Sequence, residues 1–393
     1  MNHKTPLRDR GWALSNYLPR RAMFGSCYKD CPYDYEMLKT SSRTCKLDGK
    51  EYNLPNIQQF GGVCAMQADY AARIGKSLGV PAAYVTGASR SGDLHAWVMW
   101  VELKGINARS IQFSLESYGR YRGDNFYVGH LHDPQTGQKI TDRILELRLH
   151  QVGTDALKKR HADRMMTLYP EFIAEMRMDF DQKSDFLSQT LALNPWNEQA
   201  WAAVTKISDG EELDRLRDKQ MNTILSQLFQ TFARFPDFTL TVFEDLIQFD
   251  DDMGNQIKAW YRLLDVYSAS KRPDLAFNAL IRLSEILVEN ERSDEAIQAL
   301  ATAVQRYPDE GNYVPKMLDR LEQLASKIDG GDAAIVQFYS VFLPKIPQKR
   351  GNSPSEYCIA MYQRGISLFQ SAGQTQLAQQ YSAALTTLQA SGQ

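Results

Sequence analysis

Small and apolar residues recur at helical spacing just after a pair of glycines, Gly61 and Gly62. They lie at Cys64, Ala68, Ala71, Ala72 and Ile74. This spacing predicts a helix with one buried face. The helix should end near Gly79, because Pro81 lacks a backbone donor and restricts the residue before it.

Strand patterns follow this helix. Residues 82–85 and 94–103 are rich in β-branched, aromatic and other apolar residues, and 110–118 and 125–131 carry further strand signals. Residues 140–149 fit a short helix or a strand. We therefore expect residues 1–150 to form an α+β domain in which helices precede an antiparallel sheet.

The pattern becomes entirely helical from about residue 155. The predicted helices lie at 155–178, 182–193, 197–206, 210–234, 238–249, 256–270, 273–289, 293–307, 312–328, 331–344, 355–372 and 374–390. Two stretches resemble the tetratricopeptide pattern, although both use the helix at 273–289 and so cannot both be repeats in register. We expect residues 151–393 to form an α-helical, tetratricopeptide-like solenoid, an architecture that offers a concave surface to partner proteins.

Composition supports a globular chain of two or three domains, with 393 residues, 43% hydrophobic and 23% charged. A net charge of −2 gives no electrostatic support for a nucleic-acid or membrane-surface partner, and neither is predicted. No apolar run approaches the ~20 residues that cross a bilayer, and the first residues show no apolar signal segment. These observations fit a cytoplasmic protein as well as an exported one whose signal has been removed. They leave the oligomeric state open.

Five cysteines give an odd count, and three of them, Cys27, Cys31 and Cys45, lie near the N-terminus. Inert buried thiols, a disulfide in an oxidising compartment and a metal site all fit this pattern. The metal reading lacks a fourth ligand and the usual spacing of two residues between cysteines. Sequence motifs for nucleotides, calcium or catalytic zinc are absent, so no cofactor is predicted.

Three residues could form a nucleophilic site. Cys64 begins a helix, where unpaired N–H groups favour a thiolate. His95 lies on a following strand and could act as general base, and Asp133 ends a later strand and could orient the imidazole. Each residue alone has an ordinary structural explanation: a packed thiol, a half-buried histidine and a turn aspartate.

The surrounding motifs resemble the transglutaminase-like superfamily. They are Gly-x-Cys-x-x-Gln-Ala at 62–68, Leu-Gly-Val-Pro-Ala at 78–82, Tyr-Val-x-Gly at 84–87, His-Ala-Trp-Val at 95–98 and Asp-Pro at 133–134. The resemblance covers about residues 50–145. It implies a papain-type triad of Cys64 as nucleophile, His95 as general base and acid, and Asp133 as orienting residue. The gap from His95 to Asp133 is longer than is common in the family, which leaves Asp124, Asn125 or Asp142 as substitutes for Asp133.

An oxyanion hole would need the Cys64 N–H and one side-chain donor. Gln58, Gln59 and Tyr52 are the candidates, although both glutamines also fit as ordinary loop residues. Gly62 and Trp97 are candidates for the walls of a substrate cleft, with a core position as the alternative for Trp97. Gln67 is expected to tie its helix to neighbouring segments.

These observations yield two hypotheses. In the first, the Cys64 thiolate attacks a peptide or protein amide, and water or an amine resolves the thioester, as in a peptidase, an amidase or a transglutaminase. The helical region would then recruit the substrate or a partner protein. In the second, the chain is a non-catalytic protein-binding scaffold that carries a vestigial transglutaminase-like module.

Overall fold

The structure is a computed structural model that describes residues 5–40, 44–107, 110–120, 126–133, 136–207, 218–250, 252–350 and 353–390. The chain forms two compact units. The first comprises Met1–Ser89 and Asp93–Phe249, and the second comprises Arg90–Gly92 and Asp250–Gln393.

Helices open the first unit. They are α1 (Leu7–Tyr17), a 3-10 segment (Leu18–Asp30), α2 (Tyr35–Thr40), α3 (Leu54–Phe60) and α4 (Cys64–Ser77). The helix predicted after the two glycines is confirmed as α4. The backbone reverses direction after this helix at Gly79, where φ is +75° and a glycine is favoured. The Val80 amide then donates to the Gly75 carbonyl and closes the turn.

A five-stranded antiparallel sheet follows, in the order β3-β2-β1-β4-β5. Its strands are β1 (Ala82–Ala88), β2 (Leu94–Ile106), β3 (Ile111–Tyr118), β4 (His130–His132) and β5 (Lys139–Thr141). The α+β prediction for this part of the chain is confirmed at the level of mixed helices and an antiparallel sheet. The predicted strand at 125–131 is shorter than expected. Asn125 lies outside the described residues.

Side chains alternate between the two faces of this sheet, and each face has its own core. On one face, Ala96 and Val98 pack with α4 and the 3-10 segment. On the other face, Val85, Trp97 and Met99 form a second cluster together with Phe126 and Leu131. We call these the α4 face and the Trp97 face.

The remainder of the first unit is helical. Its helices are α5 (Asp142–Met176), α6 (Phe180–Leu193), α7 (Glu198–Ile207), α8 (Asp218–Thr231) and α9 (Thr239–Ile247). The backbone of α5 leaves helical geometry at Asp155, with φ −158° and ψ 95°. The predicted helix start at 155 therefore coincides with a kink, and the first part of α5 lies along β3 of the sheet.

The second unit contains helical hairpins. Its elements are α10 (Met253–Ala269), α11 (Pro273–Glu289), α12 (Ser293–Arg306), α13 (Val314–Ala325), α14 (Gly331–Phe342), β6 (Lys349–Arg350), β7 (Ser353–Pro354), α15 (Glu356–Ser371) and α16 (Thr375–Ala390). Consecutive helices pack on each other through fully buried residues such as Leu263, Leu283 and Leu300. Within the described residues, no helix has the length and apolar character needed to span a membrane.

Candidate functional site

Cys64 occupies the first position of α4, as the helical pattern predicts. Gly61 ends α3 with φ +77°, and a Cβ atom there would lie 2.1 Å from the Pro32 carbonyl oxygen. The Gly62 amide donates to the same oxygen, and the Gly62 carbonyl accepts from Asp34 N–H. Both polar groups of the Gly62 backbone are therefore used within the fold, and Cys64 itself is half-buried.

Tyr52, a candidate oxyanion donor, belongs to a polar network on the outer side of α4. Its hydroxyl is hydrogen-bonded to Asp69, and its ring lies 5.8 Å from the Arg73 guanidinium carbon. Burial raises the pKa of Tyr52, and the nearby Asp69 carboxylate raises it further. Tyr84 lies close enough to Cys64 and Asp69 for their charges to add to the pKa increase that burial causes in Tyr84.

His95 is buried on the Trp97 face of the sheet. Its ring stacks on Trp97 at 6.1 Å between centroids and lies 5.7 Å from the ring of Phe126. The Nε2 atom is 2.6 Å from the Gly119 carbonyl oxygen, so the Nε2-protonated ring donates a hydrogen bond there. Burial lowers the pKa of His95, and this hydrogen bond opposes the decrease only in part. The fold therefore favours a neutral imidazole.

Cys64 and His95 lie on opposite sides of the sheet. His95 pairs with Gly87 of β1, two residues along each strand from the Val85–Trp97 pair, so its side chain shares the Trp97 face. Cys64 packs against the core cluster that α4 forms with Ala96 and Val98. Among the described residues, no hydrogen bond joins the Cys64 sulfur to the imidazole. The structure does not bring these two residues together.

Asp133 follows β4, and β1 separates that strand from β2. Two strand spacings of about 4.8 Å and several residues of rise therefore separate Asp133 from His95. Its carboxylate is bound by Arg148 Nη1 at 2.5 Å and by the Thr136 N–H at 3.2 Å. Asp133 thus caps its own turn and anchors α5. Of the alternative third residues, Asp124 and Asn125 lie outside the described residues.

Asp142, the remaining alternative, begins α5. Its carboxylate accepts from the Gly129 N–H at 2.8 Å and pairs with Arg120 at 2.9 Å. The Asp142 carboxylate therefore stabilises the loop before β4 and holds the Arg120 side chain in place.

Two of the other predicted residues, Gln58 and Gln67, have hydrogen-bond partners within the fold. Gln58 donates to the Tyr17 hydroxyl at 3.2 Å, and Gln59 is exposed on α3. Gln67 donates to the Cys31 carbonyl at 2.8 Å and ties α4 to the preceding segment, as expected. Trp97 is fully buried in the core of its face and so does not line an open cleft.

All five cysteines are free thiols in this structure. Cys27 and Cys31 are buried, and burial raises the pKa of both thiols, that of Cys31 to about 12. Cys45 is half-buried beside Asp48. Across the described part of the chain, no group of three or more His, Cys, Asp and Glu side chains is arranged to hold a metal ion.

An apolar groove of about 400 Å³ lies in the second unit, between α10 and α12. Its floor comes from α11, where Phe277 and Leu280 are buried and Ala276 leaves space above them. Ala299 and Ala303 of α12 widen the groove further. No motif marks this groove in the sequence; its signal is the set of small residues Ala276, Ala299 and Ala303 in consecutive helices.

Opposite ends of this groove differ in charge. At one end, Tyr261 donates to Glu295 at 2.8 Å, and Arg292 neutralises that carboxylate. At the other end, the exposed Arg306 lies over the Tyr307 ring and donates to the Ser268 hydroxyl at 3.5 Å. No acidic group among the described residues pairs with Arg306.

Comparisons with known proteins identify no family for this chain. No family model matches it, and no curated protein matches it. Among solved structures, it is similar to a crystal structure of the de novo designed helical repeat protein DHR64, with 10% identity over 59% of this chain and 94% of the designed one. The TM-score of 0.12 is too low to support any argument from that similarity.

Proposed function

We propose that this chain is a protein-binding protein whose helical second unit receives a peptide segment of a partner in the groove between α10 and α12. One observation carries the proposal: a groove of about 400 Å³ with an apolar floor and an unneutralised arginine at one end. A tetratricopeptide-like array of helical hairpins commonly presents such a surface to peptides.

The groove specifies the chemistry of its occupant. Two or three apolar side chains would cover the partly exposed Leu264, Ala276 and Ala303 and remove that surface from water. A carboxylate on the same peptide would pair with Arg306. The Glu295 end carries no free positive charge, since Arg292 is already paired there. The occupant is therefore an apolar peptide segment with an acidic group at one end.

The test is selection of peptides from a random displayed library against the full chain, followed by affinity measurements on variants. Ala299→Arg fills the groove, and Ala334→Arg places the same side chain on the exposed surface of α14. We expect Ala299→Arg to weaken binding at least about tenfold, Arg306→Gln to weaken it about three- to tenfold, and Ala334→Arg to have no effect. Equal affinities for Ala299→Arg and the unaltered chain would refute the proposal.

Cysteine-dependent acyl transfer is the second candidate, and the position of Cys64 favours it. The thiol is half-buried at the first position of a helix, where backbone N–H groups support a thiolate. Attack on an amide would still need a base on the α4 side of the sheet. Mass spectrometry after incubation with mixed peptides, with and without a primary amine, tests this candidate. A thioester that forms on Cys64 of the unaltered chain and is absent in Cys64→Ser would support it.

A further inference from the structure

A second cavity lies in the first unit, on the Trp97 face of the sheet. It has a volume of about 760 Å³ and lies between β3 and the first part of α5. Met99, Phe113 and Leu115 form an apolar wall, because strand pairing places all three on this face. At one end, α5 approaches β3 so closely that a Cβ atom at Gly153 would lie 2.5 Å from the Ile111 carbonyl oxygen. That end is therefore closed.

Charged residues line the opposite wall of the cavity. They are Arg120, Arg143, Arg234, Asp142 and Glu146, so positive charges exceed negative ones by one among these lining residues. Arg143 and Arg234 each lie 3.7 Å from Glu146, which is longer than a hydrogen bond. The Glu146 carboxylate thus pairs only weakly with Arg143 and Arg234, and both guanidinium groups retain the capacity to bind an anion.

Arg120 adds a positive charge that is held in a fixed place. Its Nη1 pairs with Asp142 at 2.9 Å, and its Nη2 donates to the Phe126 carbonyl. The Nε atom is buried and has no hydrogen-bond partner, so Arg120 contributes its charge to the cavity rather than a free donor. The guanidinium also lies 5.2 Å above the Trp97 ring, which fixes its orientation.

We propose that this cavity binds a small organic anion. Its apolar body would lie on Met99, Phe113 and Leu115. Its carboxylate or phosphate would accept hydrogen bonds from Arg143 and Arg234, beside the positive charge of Arg120. Charge-assisted contacts of this kind are short and directional. The site is independent of the peptide groove in the second unit, because no residue lines both.

The proposal is tested by isothermal titration of the full chain with phenyl phosphate, benzoate and benzamidine. These probes share a ring and differ in charge, and the two anions distinguish a phosphate site from a carboxylate site. We expect at least one anion to bind with a dissociation constant below about 1 mM, and benzamidine to bind at least about tenfold more weakly. Binding of benzamidine with equal affinity, or of none of the three, would overturn the proposal.

Variants locate the binding. Arg143→Gln removes one charged donor from a partly exposed position and should weaken anion binding about tenfold. Arg282→Gln, on the exposed surface of α11, is the matched control and should leave it unchanged. Thermal melting confirms that both variants fold. Unaltered anion affinity in Arg143→Gln and in the double variant with Arg234→Gln would assign the binding elsewhere and contradict the proposal.

Discussion

Burial decides the protonation of His95. The ring packs between Trp97 and Phe126. Protonating it there costs free energy, because the buried imidazolium loses the hydration that stabilises it in water. The pKa of His95 is therefore lower than that of an exposed histidine. The unfolded chain therefore binds a proton at His95 at a higher pH than the folded chain does, so lowering the pH should destabilise the fold.

This predicts a pH-dependent stability difference between the unaltered chain and His95→Gln. Because the pKa of His95 is lower in the folded chain, its neutral ring contributes stability that is fully present above the unfolded pKa of about 6.5. This stability is lost as the pH falls below that value. The free energy of unfolding should therefore fall more between pH 7 and pH 5 in the unaltered chain. Urea denaturation at several pH values measures this. Parallel pH profiles for the two proteins would contradict the assignment of a buried neutral ring.

Gly61 offers a second test at the scale of one residue. Its φ of +77° and the contact of a hypothetical Cβ with Pro32 leave no room for a side chain. We expect Gly61→Ala to lower the free energy of unfolding by about 2–4 kcal/mol. Gly11→Ala is the control, because a Cβ there meets no atom within 4 Å, and it should be neutral or stabilise α1 by up to about 1 kcal/mol. Equal changes in melting temperature for Gly61→Ala and Gly11→Ala would show that the turn at Gly61 tolerates a side chain.

Residue types and motifs identified Cys64 and His95 as candidates, but they could not place them relative to each other. The reason is the period of two in a strand: a shift of one residue in the β1–β2 register moves His95 to the other face. Only the Gly87–His95 pairing, which depends on the whole hairpin, settles the face. The position of Asp133 likewise depends on β4 pairing with β1 and not with β2.

Among the elements, the helical turns carry a repeated backbone feature. Lys271 ends the α10–α11 turn with φ +54°, and Glu291 does the same between α11 and α12 with φ +60°. Each is followed by an arginine, and Arg272 forms a buried ion pair with Asp274 at 2.6 Å. A left-handed backbone conformation is unfavourable in free energy for any residue that has a Cβ atom, whereas glycine adopts it without this cost.

We therefore expect Lys271→Gly and Glu291→Gly each to raise the free energy of unfolding by about 0.5–1 kcal/mol. Lys258→Gly, at an exposed position inside α10, is the control and should lower it by about 1 kcal/mol. Urea denaturation midpoints provide the comparison. A loss of stability in both turn variants would mean that their side chains contribute more than the strained backbone costs.

Most element positions followed from local pattern. The helices α6, α7 and α9 onward lie close to their predicted ranges, because each has an apolar stripe and a polar, proline or glycine break at its ends. The predicted helix at 210–234 coincides with α8 over Asp218–Thr231, and its residues 210–217 lie outside the described residues. The short β4 did not follow. Before it, the Phe126 carbonyl accepts from Arg120 and the Tyr127 carbonyl from Arg143, so side chains replace the strand partners that the pattern implied. Such distant partners leave no periodic signal in the local sequence.

At the scale of the whole molecule, the two units present different chemistry. The first has a partly open cavity with excess positive charge, and the second has an apolar groove. We propose a small anion as the ligand of the cavity and a peptide as the ligand of the groove. The separation of Cys64 from His95 by the sheet is the feature that distinguishes this account from thiol catalysis.

That separation is tested most directly by the rate at which iodoacetamide alkylates Cys64 at pH 6.5, in the unaltered chain and in His95→Gln. Cys45, which is also partly exposed, provides an internal reference thiol. We expect the two rates at Cys64 to agree within about twofold, since an imidazole on the far face of the sheet cannot stabilise the thiolate. A slowing of tenfold or more in His95→Gln, with Cys45 unchanged, would show that the two residues interact and would contradict the account.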